Sequence, residues 1–207
     1  MDDETDPAPA SAAEALSIIS AQRRVAWQTV PSSALLFLVW GGAWLVGYGG
    51  LWLSADERGR PSVGAAVLAV ALAVAAVATT ILHSVARTRG IAGDSARQGA
   101  LYGWAWFVGY LAMGWIISAL SAAGASYEVV GLAANSVAAL VAGLLYLAGG
   151  ILWRATAMYV LGAWIALVGA ASAFAGLPTS YLWLSLAGGG GMLTAGLVEA
   201  VRRRAAP

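Results

Sequence analysis

Cysteine and lysine are missing from this chain, histidine occurs once, and only 10% of its 207 residues are charged. Each shortage closes off a class of chemistry. Without cysteine there is neither a disulfide framework nor a thiolate metal site. A lone His83 cannot build a multi-histidine metal centre, so no metal and no cofactor are expected. An ordinary soluble domain carries about 25% charged residues, and so little polar surface cannot cover a water-soluble globule. All 11 basic residues are Arg, which together with the Ala and Gly richness points to a high-GC bacterial genome. The net charge of +1 is unevenly spread: Asp2, Asp3, Glu4 and Asp6 crowd the N-terminus, and Arg202, Arg203 and Arg204 close the chain. No basic face is left over for nucleic acid, which is therefore not an expected partner. Enzyme chemistry is not expected either, because no paired acids lie within a span, no phosphate loop is present and no nucleophile comes with a recognisable base.

Apolar sequence is abundant instead. Residues 1–10 are acidic and Pro-containing without an apolar run, so they read as a disordered tail rather than a secretory signal. From Ser11 to about Val30 an amphipathic helix is expected, opened by a capping box of Ser11 and Glu14. Leu16, Ile19, Ala26, Trp27 and Val30 share one side of it, and Ser17, Ser20 and Arg24 the other, which suits a helix in the membrane interface.

Six apolar stretches fill residues 31–201, at about 32–53, 62–84, 98–121, 129–152, 155–176 and 179–200, before a basic tail at 202–207. Each holds about 21 to 24 residues, enough at about 1.5 Å per residue to cross a hydrocarbon core of about 30 Å. The fold class is thus all-α, a polytopic transmembrane bundle of six helices with an N-terminal interfacial helix. Pro31 and Pro178 fit first helical turns, Gly124 and Gly176 are placed to end helices in a left-handed conformation, and a tight turn is expected at Trp153 to Thr156. Nine Arg fall on the side of the termini and two, Arg58 and Arg60, on the other. The positive-inside rule therefore predicts both ends in the cytoplasm of a bacterial inner membrane.

Three features offer chemistry. Trp40, Trp44, Tyr48 and Trp52 recur every four residues, and Tyr102, Trp106 and Tyr110 repeat the device. The segments Ala43-Trp44-Leu45-Val46-Gly47-Tyr48 and Ala105-Trp106-Phe107-Val108-Gly109-Tyr110 match, and both spans run outward, as in a duplicated hairpin of the kind found among transporters. Such stripes either pack against glycine-notched neighbours or line a path for a neutral or cationic solute. Second, Asn135, Ala139, Gly143, Tyr146 and Gly150 give span four a small and polar face, which should turn toward the bundle. Third, Gly188, Gly189, Gly190 and Gly191 sweep around span six, so that helix either packs closely on several sides or opens there; leucine at Gly190 is expected to destabilise it. The expected solute-path residues are Tyr48, Tyr110, Asn135 and Tyr146. His83, Arg87, Glu128 and the Glu199/Arg203 pair read as interfacial.

The segments Ala15-Leu16-Ser17-Ile18-Ile19-Ser20-Ala21-Gln22, Trp40-Gly41-Gly42-Ala43-Trp44, Gly99-Ala100-Leu101-Tyr102-Gly103-Trp104-Ala105-Trp106-Phe107 and Tyr146-Leu147-Ala148-Gly149-Gly150 resemble those of small six-span actinobacterial membrane proteins. That group is loosely assigned to transporters, and the likeness runs from about Ser11 onward. It implies no catalytic or binding residue. The functional expectation is a small-solute transporter or channel. The alternative is a non-transporting accessory or sensor subunit. Its partners would be the lipid bilayer and either a second copy of itself or another membrane protein.

Overall fold

A computed structural model describes Ser11 and residues 15–17, 32–89 and 93–205. The acidic tail 1–10, Glu14 of the capping box, and Arg23 and Arg24 lie outside the described residues, as does most of the interfacial helix; Ala15–Ser17 are helical. Six helices long and apolar enough to cross a membrane follow. They are α1 (Ser33–Leu53), α2 (Val63–Arg87), α3 (Asp94–Ala122), α4 (Tyr127–Leu152), α5 (Thr156–Ser172, continued by a 3₁₀ turn at Ala173–Ala175) and α6 (Thr179–Ala205). No strand occurs among the described residues.

Local chemistry sets the boundaries. Ser32, Ser62 and Ser126 cap α1, α2 and α4, each hydroxyl accepting from the amide three residues on, at 3.4, 3.2 and 3.3 Å, which satisfies a donor the first turn leaves free. Gly124 closes α3 with φ of 84°, and Ala125 N–H returns to Leu120 O at 3.1 Å. The expected tight turn between α4 and α5 uses Arg154 itself in the left-handed region, φ 51°, with Ala155 N–H donating to Gly150 O at 2.8 Å. At its end α6 continues through Arg202–Arg204 to Ala205, so these arginines form a helical turn. An ion pair from Arg203 back to Glu199, 3.6 Å, supports that turn.

Four helices make the core. Phe37 of α1, Ala139 and Tyr146 of α4, Ile165 of α5, and Leu184 and Met192 of α6 are buried together. α2 packs on α1 and α3 on α4 as outer arms; α2 buries only Ala76 and α3 buries no residue. Large apolar side chains such as Leu82, Leu101, Trp104, Trp115 and Leu167 are correspondingly exposed. In water each would carry an unfavourable hydration cost of about 25 cal/mol per Å². In lipid that cost disappears.

Since lipid tails are as apolar as leucine, helix association in a membrane depends on close packing at small residues. Two glycine seams provide it. Across α4 and α5, a Cβ on Gly143 would stand 2.7 Å from Gly162 O, and one on Gly162 2.6 Å from Leu147 N. Across α1 and α6, a Cβ on Gly41 would meet Leu193 N at 2.8 Å, and one on Gly189 would meet Leu45 N at 2.6 Å. Backbone lies against backbone in both seams. The loops on the α1–α2 side are tied by Leu177, which lies against Gly59 and Gly131. Gly59 has φ of 72°, and its Cβ would meet Leu177 Cβ at 2.5 Å. Gly59→Ala is expected to cost about 1–3 kcal/mol through backbone strain alone, read as a lower unfolding temperature of the detergent-solubilised protein.

Candidate functional site

The two aromatic stripes meet on α4. From α1, the Tyr48 hydroxyl donates to Asn135 Oδ1 at 3.4 Å; from α3, the Tyr110 hydroxyl donates to Ala138 O at 3.3 Å, one turn further along. Three of the four expected path residues are thereby brought together. Tyr146 stands apart, 11 residues beyond Asn135 and so about 16 Å along the helix. It is part of the core, with its ring centroid 5.9 Å from Phe37 and 5.8 Å from Trp106. Trp106 restores the connection, because it also stacks on Tyr110 at 6.1 Å. It further lies 6.2 Å from Tyr102, whose ring meets Trp153 edge-on at 4.6 Å.

Toward the α1–α2 loop the column continues through residues that the sequence did not single out. The Tyr48 ring stacks on Tyr181 of α6 at 6.4 Å and meets Trp44 edge-on at 5.3 Å. Tyr127 neighbours Tyr181 electrostatically, and the Arg60 guanidinium lies 5.2 Å above the Tyr127 ring. Arg60, Tyr127, Tyr181, Tyr48, Tyr110, Trp106, Tyr102 and Trp153 thus run in sequence from one set of loops to the other. Periodicity marks only the stripes of α1 and α3. Tyr127 and Tyr181 each stand alone near a helix start, so no sequence spacing joins them to Tyr48.

Positions matched between the two stripes are used alike. Trp40 and Tyr102 each donate to the following helix, Nε1 to Thr80 Oγ1 at 3.1 Å and the hydroxyl to Leu145 O at 2.8 Å. Gly47 faces Ala69 of α2, and Gly109 faces Val141 of α4. Trp44 lies against Gly188 of α6 and the Tyr102 hydroxyl against Gly149 of α4, so the stripes do pack on glycine-notched neighbours, while their polar tips converge.

The glycine run is partly wound into a wider turn and partly packed on its neighbours. Residues Leu184–Gly189 form a π-helical turn within α6, a local widening that recurs at functional positions. Gly188 lies under the Trp44 ring, Gly189 against Leu45 and Gly41, and Gly191 against Trp164. Trp164 Nε1–H donates to Ala187 O, and Ser185 Oγ–H to Leu45 O, both at 2.8 Å. Gly190 is the exception. Nothing lies within 4 Å of a Cβ placed there, so the expected loss of stability on putting leucine at that position is corrected: the third glycine points away from both neighbours.

A second polar cluster lies at the opposite end, among residues read from the sequence as merely interfacial. Ser32 N–H donates to His83 Nε2 at 3.0 Å, which requires a neutral ring with its proton on Nδ1. Arg203 donates to Ser33 Oγ at 3.0 Å, and Ser33 Oγ–H to Glu199 Oε1 at 3.4 Å. The start of α1 is thereby tied to the ends of α2 and α6. Tertiary contact made this cluster from residues more than a hundred positions apart in the chain.

No protein-family model, curated protein or solved structure matches the chain. Fold and site define its class as a six-helix integral membrane protein with an aromatic column crossing its bundle. Among the described residues no group of three or more metal-binding side chains occurs.

Proposed function

We propose that this protein is a small-solute transporter or channel of a bacterial cytoplasmic membrane, with its path along the aromatic column. The carrying observation is the juxtaposition of Tyr48 and Tyr110 along one stretch of α4 at Asn135 and Ala138, within the membrane-spanning helices. Hydroxyl and amide groups taken out of water cost a few kcal/mol each unless partnered. Both bonds here are long, 3.4 and 3.3 Å, and a solute can replace them. The described acids stand in the α1–α2 loop, at Asp56 and Glu57, or near helix ends, at Asp94, Glu128 and Glu199, so the site favours a neutral hydrogen-bonding solute or a cation held on ring faces. Flux of small amides, amines, sugars or ions by the purified protein in proteoliposomes tests this reading; no flux across that panel would defeat it. The resemblance to six-span actinobacterial proteins agrees with it and adds no residue.

One observation favours the accessory-subunit reading. α3 buries nothing, and Trp104 and Trp115 are 62% and 69% exposed on it, a surface that a second copy or another membrane protein would cover. A co-purifying partner without flux would select this alternative.

The proposed orientation, with both termini cytoplasmic, rests on the arginine split. Because the native chain has no cysteine, single cysteines report it cleanly. Ser62 and Ser126 cap helices, so exposed Glu57 and Ala123 are the better sites. Cysteines there should react with an impermeant thiol reagent on intact cells, and one at Ser95 should not. The reverse pattern would invert the topology.

A further inference from the structure

Beside the column, and open to lipid, lies a groove of about 670 Å³ between the first turns of α2 and the start of α4. Its walls are Val63, Val67, Val70 and Ala71 of α2, and its mouth is formed by Arg60 and Tyr127. We infer that this groove binds one acyl chain of an anionic phospholipid, with the lipid phosphate on Arg60.

Three observations select that occupant. The first is depth. From Val63 to Ala71 the groove follows eight residues of helix, about 12 Å at about 1.5 Å per residue. Half of a hydrocarbon core of about 30 Å is about 15 Å. A lipid chain from one leaflet ends near that depth, whereas a partner helix would continue across both leaflets.

The second is charge. Arg60 makes no ion pair within 4 Å among the described residues. Of the carboxylates beside Arg60 and Tyr127 in sequence, Asp56, Glu57 and Glu128, none pairs with Arg60, and Asp56 Oδ1 is occupied by the backbone amides of Arg58 and Arg60 at 2.9 and 2.8 Å. Glu128 Oε1 is directed at Gly176, 3.4 Å from where a Cβ would stand. A guanidinium held over an aromatic ring keeps its planar N–H fork free for a phosphate, which it can engage through two parallel bonds.

The third is polarity. Below Arg60 the wall is valine and alanine, with Val63, Val67 and Val70 80%, 63% and 63% exposed. A water-soluble anion would gain nothing from such a wall. A methylene chain gains contact without giving up a hydrogen bond. Arg60 and Tyr127 also begin the aromatic column, which puts the lipid headgroup at its entrance.

The test uses the full-length protein in neutral detergent and reads its unfolding temperature; it does not involve transport, so its outcome is separate from that of the proposed function. Phosphatidylglycerol should raise the unfolding temperature by several degrees more than phosphatidylcholine of the same chains, as expected for a ligand that binds only the folded state. Sodium phosphate alone should not. Arg60→Gln should erase the difference between the two lipids. Val67→Trp, on an exposed wall position, should fill the groove and remove the shift from both lipids while leaving the lipid-free unfolding temperature in place. Equal shifts from the two lipids in the wild type, a preference that survives Arg60→Gln, or a shift reproduced by phosphate alone would each overturn the proposal.

Discussion

Gly162→Leu should prevent recovery of folded, monodisperse protein from detergent, while Gly190→Leu in an otherwise identical chain should leave the unfolding temperature unchanged or slightly raised. At Gly162 the first added carbon would stand 2.6 Å from Leu147 N, 2.7 Å from Gly143 O and 2.8 Å from Tyr146 Cβ. Two of those atoms are backbone, so no rotamer change relieves the clash; α4 and α5 would have to separate along their seam. Overpacking of a core costs about 1–3 kcal/mol and occasionally more, against a typical total stability of about 5–15 kcal/mol. Here the loss should be at the upper end, because separation also removes the packing at Gly143 and Gly150, which face α5 at similar distances. At Gly190 nothing lies within 4 Å, and leucine is the better helix former by most of about 1 kcal/mol. Equal behaviour of the two variants, by thermal unfolding and size-exclusion chromatography, would show that the seam is not what holds the bundle together.

Asn135→Leu and Tyr48→Phe should each reduce flux in proteoliposomes by about tenfold or more while keeping the protein folded. Both remove one end of the Tyr48–Asn135 hydrogen bond. Leaving a buried partner unsatisfied costs about 1–3 kcal/mol, and about 1.4 kcal/mol is a tenfold change in rate when it falls on the transition state. Tyr48→Phe keeps the ring stacked on Tyr181 and edge-on to Trp44, so the column's packing survives and only its polar tip is lost. Tyr146→Phe is the internal control. Tyr146 belongs to the core at 8% exposure, and losing its hydroxyl should affect flux far less. Parallel losses of stability and flux in all three would assign these side chains to packing.

The sequence was least informative about the proposed path. Tyr48 and Tyr110 could be picked out because a four-residue spacing keeps them on one helix face, and Asn135 because an amide inside a span must find a partner. Which partners they find is not a matter of spacing. Tyr181 joins the column because α6 packs beside α1, and Arg60 because its loop folds back over the start of α4. Tyr146 shares its helix face with Asn135 yet went to the core, since about 16 Å of helix separates them. His83 and Glu199 read as merely interfacial because nothing in the chain indicates that the start of α1 lies between α2 and α6.

The six helices, their approximate ends and their membrane setting follow from the chain alone, because hydropathy, serine caps and helix-ending glycines are local properties that act before any helix meets another. The glycine run shows where locality stops. Four identical residues in a row have four different surroundings: Trp44, the α1 backbone, open space and Trp164. A helix turns by about 100° per residue, so each successive glycine faces a new direction. Only the positions of α1 and α5 around α6 decide which of those directions is filled.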